Sequence, residues 1–157
     1  MEKFQTDILE AVKYFRSAEH LTFVTYPLLK DNKLLWAITK NLYLTSYNAV
    51  NAILHYEHLY RRIRVLPADF DLRMQIFEKD IAPRMKLNGD ISKVINNLRI
   101  LMKQHKESTV EFSRNNRLII CNEGYTNIKT LDLEMLKSYI VVIHTFIHLI
   151  NRLDKDV

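Results

Sequence analysis

The sequence predicts a mainly α protein, an antiparallel up-and-down bundle of four to five helices with a small β-hairpin between the last two. Three observations carry that expectation. Residues 31 to 64 hold one long apolar seam at helical spacing. Two glycines and three prolines leave few places for turns. After Val110 the period shifts toward short β-branched and aromatic stretches. No Ser/Gly/Pro-rich linker, charge block or repeat divides the chain, so the 157 residues are expected to form a single domain, 1–157, with a proper core.

The first helix is expected over residues 2 to 26, with Phe4, Ile8, Ala11, Phe15 and Ala18 on one stripe. Pro27 lacks an N–H and biases Tyr26 away from helical ψ, so this helix should stop there. Asp31 is a suitable N-cap for the second helix, the spine of the bundle. Along it Leu35, Ile38, Leu42, Thr45, Ala49, Ala52, Tyr56, Leu59 and Ile63 follow a 3-4-3-4 spacing. Trp36, Tyr43, Tyr47, Val50 and Leu54 fall beside that seam, and no charge occurs between Lys40 and Glu57. Such a helix is buried between neighbours, and 34 residues at 1.5 Å each give roughly 50 Å of length. Small residues at Thr45, Ser46, Ala49 and Ala52 would admit another helix closely.

Asp69 can cap a third helix through Phe70, Met74, Phe77 and Ile81, which Pro83 should kink or end near Ala82. Asn88-Gly89 is a turn signal, and Asp90 can start a fourth helix with Ile91, Val94, Ile95, Leu98 and Met102 inward. A two-residue Glu123-Gly124 loop would pair Ile119 with Ile128 in a hairpin, with residues 110–114 as a candidate third strand. Asp132 or Thr130 would cap a last helix in which Leu136, Ile140, Ile143, Ile147 and Ile150 repeat at 4-3-4-3.

The net charge of +5 is compatible with a polyanionic partner. A single cysteine excludes a disulfide framework, and Cys121 in a strand pattern reads as a packed thiol. The acidic residues in MEKFQTDILE exclude a signal peptide there, and the uncharged run from Ser138 to Asn151 is too short to span a bilayer. A soluble cytoplasmic protein without a membrane partner is therefore expected. His55 and His58, and His144 and His148, lack the glutamates that a zinc protease or diiron bundle requires, so neither metal nor cofactor is expected. No Walker A, G-x-G-x-x-G or G-x-S-x-G motif occurs.

Asn41, Asn48, Asn51, His55 and His58 form a neutral polar line on the spine helix, where a solvated face would carry Lys and Glu. Fixed charges would cost too much in a half-buried interface, whereas amides can pair with their own twins across a two-fold axis. That logic points to a homodimer with Asn48, Asn51 and His55 at the interface; the other reading has the same groups satisfying backbone inside one chain. Basic residues gather at Arg61, Arg62 and Arg64, at Lys103 and Lys106, and at Arg114 and Arg117. The last pair flanks Asn115-Asn116 at a loop tip, with Tyr125 at the next turn. Arg114, Arg117 and Tyr125 are thus candidate nucleic-acid contacts, since such side chains grip phosphates and stack on unpaired bases.

Two long antiparallel helices, the second containing Asn48-Ala-Val-Asn-Ala-Ile-Leu-His55, resemble the HEPN superfamily of small, often dimeric helical bundles. Catalytic members of that superfamily carry Arg, then four to six residues, then His, and cleave RNA without metal. Arg99-Ile-Leu-Met-Lys-Gln-His105 matches that spacing. The resemblance implies a self-associating, non-enzymatic interaction module that contacts RNA or a protein partner. Its alternative implication is a metal-independent endoribonuclease that uses Arg99 and His105 from both subunits of a dimer, with His105 as general acid or base and Arg99 stabilising the phosphorane.

Overall fold

The structure, a computed structural model, describes residues 1–107 and 110–155. It is a mainly α helical bundle with a small three-stranded antiparallel sheet between its last two helices. Helix α1 (Lys3–His20) continues through one π-helical turn (Leu21–Thr25) into a final α turn (Tyr26–Leu29). The spine is α2 (Lys33–Leu59). Helix α3 is built the same way as α1: Phe70–Ile76, a π turn (Phe77–Ile81), then Ala82–Arg84. Helices α4 (Gly89–Glu107) and α5 (Leu133–Lys155) complete the bundle, separated by β1 (Val110–Arg114), β2 (Arg117–Cys121) and β3 (Lys129–Asp132).

Pro27, expected to stop the first helix, is instead carried through by a π turn; Pro83 also follows a π turn, and α3 ends at Arg84, close to the kink or end expected near Ala82. A proline ring in a helix collides with the carbonyl four residues back. At Tyr26 and Ala82, the residues just before Pro27 and Pro83, the backbone N–H reaches five residues back, to Leu21 and Phe77. The widened turn moves the offending carbonyl aside and leaves no N–H orphaned, so α1 ends only where Lys30 turns left-handed at φ 50°.

Helix α1 lies along α2 in the opposite direction, with Phe4 against Tyr56 at one end and Tyr26 bonded to Asn32 at the other. Leu35, Ile38, Leu42, Ala49, Val50, Ala52, Ile53 and Leu54 of α2 are fully buried. Each large one contributes about 1.5–3 kcal/mol by leaving water. The hydroxyls of Thr45 and Ser46, expected to ease a close crossing, return to their own helix, as does that of Thr39: Thr39, Thr45 and Ser46 donate to the carbonyls of Leu35, Asn41 and Leu42 at 2.7, 2.7 and 3.0 Å. The Asp31 carboxylate accepts from the Lys33 N–H at 2.9 Å, beside the expected start of α2. Its end is a Schellman turn, Arg62 N–H to Glu57 C=O and Arg61 N–H to His58 C=O, with Arg61 left-handed at φ 60°.

Residues 60–69 then climb back along the spine, so that Phe70 meets Tyr47 and Arg84 reaches Glu57. Helix α3 therefore runs parallel to α2, and α4 returns antiparallel to both. Asp69 and Asp132 cap α3 and α5 as expected, accepting from Leu72 and Met135. In α4 the fifth inward residue is Leu101, with Met102 only half-buried. In α5, Leu136, Ile140, Ile143, Phe146, Ile147 and Ile150 face the core. Helix α5 has 23 residues and contains an 18-residue window of mean hydropathy 1.4, so it is long and apolar enough to cross a membrane by those two measures alone.

The sheet has order β1-β2-β3, with Leu118, Ile120 and Leu131 turned to the core. Its tight two-residue loop is Asn115-Asn116, where Asn115 adopts φ 56°, and not Glu123-Gly124. Ile119 accordingly pairs with Thr130 instead of Ile128, because residues 122–128 form a longer loop with Gly124 at φ 80°.

The fold makes two stability predictions. Ala52→Leu, placed where α2 has no exposed surface, should lower stability by about 1–3 kcal/mol in a denaturant titration. Arg61→Gly should raise it by about 0.5–1 kcal/mol, the relief of a left-handed side chain less the entropy of an added glycine.

Candidate functional site

Along one flank of α2, Trp36, Lys40, Tyr43 and Tyr47 recur at helical spacing. Facing them, Arg99, Lys103 and Lys106 recur at i, i+4 and i+7 on α4. Between the two helices lies an open cavity of about 690 Å³, lined by Lys40, Tyr43, Phe70, Asp71, Asn96, Arg99, Lys103 and Lys106 among others. The start of α3 closes one end, where the Phe70 and Tyr47 rings pack with centroids 4.6 Å apart.

The Arg99 guanidinium is held in place. It donates to the Asp71 carboxylate and, at 3.0 Å, to Asn96 Oδ1, and it lies 5.5 Å over the Phe70 ring. Burial pushes the Tyr43 hydroxyl up from its usual range; the Arg99 charge opposes that shift and Tyr47 adds to it. Tyr43 therefore stays a neutral donor at physiological pH. Lys40, Lys103 and Lys106 are exposed, and among the described residues none has an ion-pair partner.

Arg99 and His105 do not converge within the chain. Six residues apart on one continuous helix, they point about 120° apart. Arg99 faces the cavity, whereas the His105 ring packs on Trp36, centroids 4.0 Å apart, with Nδ1 2.6 Å from Glu111 Oε1. The Trp36 indole Nε1 beside it is buried with no hydrogen-bond partner among the described residues.

The polar line expected at an interface is occupied inside the chain. Asn51 is buried, and its Oδ1 accepts from Arg73 of α3 at 2.9 Å, while Arg73 Nε also donates to the Pro67 carbonyl. His55 Nδ1 lies 2.6 Å from Asp7 Oδ2 of α1. Asn48 and Asn41 donate back to the carbonyls of Leu44 and Ala37 on their own helix. Arg73 and Asp7 arrive from α3 and α1, so no spacing within α2 could have announced them.

Arg114 and Arg117 are exposed across the Asn115-Asn116 loop, as expected. Tyr125, also exposed, lies in the loop at the opposite end of β2, roughly 13 Å away at 3.3 Å per residue. The three do not form one patch. The residues that do gather, Lys40, Tyr43, Phe70, Lys103 and Lys106, were visible in the sequence only as one basic pair and ring residues beside the seam; the i, i+4, i+7 spacing from Arg99 was the available signal.

Among the described residues, no three His, Cys, Asp or Glu side chains are grouped to hold a metal ion. Comparison with protein-family models, curated proteins and solved structures finds no match to this chain.

The Asp7 pair yields a pH prediction. Burial pushes the Asp7 carboxyl up, but hydrogen bonds from His55 and Lys3, with their charges, outweigh it and hold the carboxyl below its usual range. Its stabilisation is present above the unfolded pKa, about 3.9, and is lost as pH falls through the lower folded value. Asp7→Asn should cost roughly 1.5–3 kcal/mol at pH 7 in denaturant unfolding, a difference that closes below about pH 4.

Proposed function

We propose that this protein is a non-enzymatic, HEPN-like helical-bundle module that binds single-stranded RNA in the groove between α2 and α4. The observation that carries this reading is the cation row Arg99–Lys103–Lys106 facing the Tyr43 and Phe70 rings across an open cavity. Seven residues of helix span about 10 Å, a length suited to neighbouring phosphates of an extended strand. Aromatic rings supply faces on which unpaired bases stack, and lysines without internal partners are free to replace counterions. A duplex would keep its bases stacked away from those rings. Self-association, where it occurs, uses a face other than Asn48, Asn51 and His55.

Fluorescence anisotropy with a labelled single-stranded RNA oligonucleotide tests this reading. Tyr43→Ala should weaken binding by about 1–3 kcal/mol, and Lys103→Glu should flatten the log Kd–log salt slope by roughly 0.7 per lost phosphate contact. Affinity indifferent to both substitutions would overturn it. Cleavage of the oligonucleotide that disappears in both Arg99→Ala and His105→Ala would establish the ribonuclease reading instead.

A further inference from the structure

A second surface lies where α1 gives way to α2. Phe23, Val24 and Leu28 are 53%, 46% and 79% exposed, and Pro27 is exposed with them. Phe23 and Pro27 are four apart, as are Val24 and Leu28, so the four make two adjoining rows on the last turns of the helix. Leu29, also exposed, ends the tip before left-handed Lys30. Single exposed apolar residues need no account, but five within seven positions on a convex tip do. No carboxylate occurs between His20 and Lys30.

Beside this tip is an open concavity of about 870 Å³ into which Lys30, Arg117 and Lys137 converge from three separate elements. The Asn115-Asn116 loop that forms one wall is tied to the start of α2 by Asn32 Nδ2, which donates to the Asn115 carbonyl at 3.4 Å. Lys137 Nζ lies 5.9 Å over the Phe23 ring, so the cations and the apolar rows are contiguous. Two carboxylates share the concavity. Asp132 caps α5 through the Met135 N–H, and Glu134 pairs with Lys137 at 3.6 Å. Among the described residues Lys30 and Arg117 have no ion-pair partner.

We propose that this end of the bundle docks peripherally on an anionic lipid bilayer. Phe23, Val24 and Leu28 enter the boundary between headgroups and acyl chains, and Lys30, Arg117 and Lys137 take lipid phosphates. Charge complementarity selects this occupant. In a two-fold pairing with a second copy the same rim would face itself, setting Lys30 and Arg117, unpaired among the described residues, against like charges, since Asp132 and Glu134 are already engaged by the Met135 N–H and Lys137. A bilayer carrying negative headgroups offers a flat apolar boundary and the opposite charge at the same depth. The contact is a surface one and uses no residue of the α2–α4 groove.

Co-sedimentation of the full chain with vesicles tests it, comparing phosphatidylcholine alone with phosphatidylcholine containing about one-third phosphatidylserine. The protein should pellet with the phosphatidylserine vesicles and remain in the supernatant with phosphatidylcholine alone. Val24→Ser with Leu28→Ser, and separately Lys30→Glu with Arg117→Glu, should each weaken partitioning about tenfold or more. All four positions are exposed, so the variants should melt as the wild type does, while Lys103→Glu should partition unchanged. Equal behaviour toward both vesicle types, partitioning indifferent to both double variants, or a loss in Lys103→Glu equal to theirs would overturn the proposal. Pelleting without vesicles that the Val24→Ser, Leu28→Ser variant abolishes would also overturn it, assigning the tip to self-association.

Discussion

The burial of α2 is the constraint on which the rest of the structure depends. A helix without charge from Lys40 to Glu57 is stable in water only when neighbours cover it, and α1, α3, α4 and α5 are all arranged to do so. Its own polar groups are then obliged to find partners nearby. The hydroxyls of Thr39, Thr45 and Ser46 fold back on the preceding turn, and Asn51 receives Arg73. Glu57, a buried carboxylate at the unfavourable end of a helix dipole, is met by both Arg62 and Arg84. Those two arginines also fix where the chain leaves α2 and where α3 ends. The returning segment and the parallel course of α3 thus follow from satisfying the last turn of the spine.

The groove follows from what that covering leaves out. Helix α3 begins only at Phe70, opposite Tyr47, so the flank of α2 from Lys40 to Tyr43 faces α4 across open space. Rings there are half-buried, not sealed, and the α4 residues opposite them are long cations instead of leucines. The contrast with α1 is one of side-chain size. Ala11 and Ala18 let α1 settle against the small residues of α2, whereas the tyrosines hold α4 at a distance on the other side.

Much of the fold was legible in the sequence because it rests on period and on local chemistry. The seam of α2 from Leu35 to Ala52, the caps at Asp69 and Asp132 and the change of period after Val110 are each decided within a few residues. The expected continuation of the seam to Leu59 and Ile63 fails because the helix ends at Leu59, which is exposed. What was not legible depended on backbone solutions or distant partners. Nothing in a 3.6-residue pattern announces a π turn, so Pro27 reads as a stop and Pro83 as a kink or an end. Asn115-Asn116 and Glu123-Gly124 compete as hairpin loops, since Asn tolerates positive φ almost as Gly does, and the register of β3 decides between them. A polar side chain on a buried helix can read as an interface residue until its partner is known. For Asn51 and His55 those partners, Arg73 and Asp7, lie 22 and 48 residues away.

The position of Trp36 has an optical consequence. It is the only tryptophan in the sequence, so the intrinsic emission of the protein above the tyrosine band arises at one place. That place is one helical turn from Lys40, with the indole stacked on His105 and its ring nitrogen shielded from water. The protein therefore contains its own unlabelled reporter, whose emission wavelength follows the wetting of the Trp36 indole where α2 meets α4.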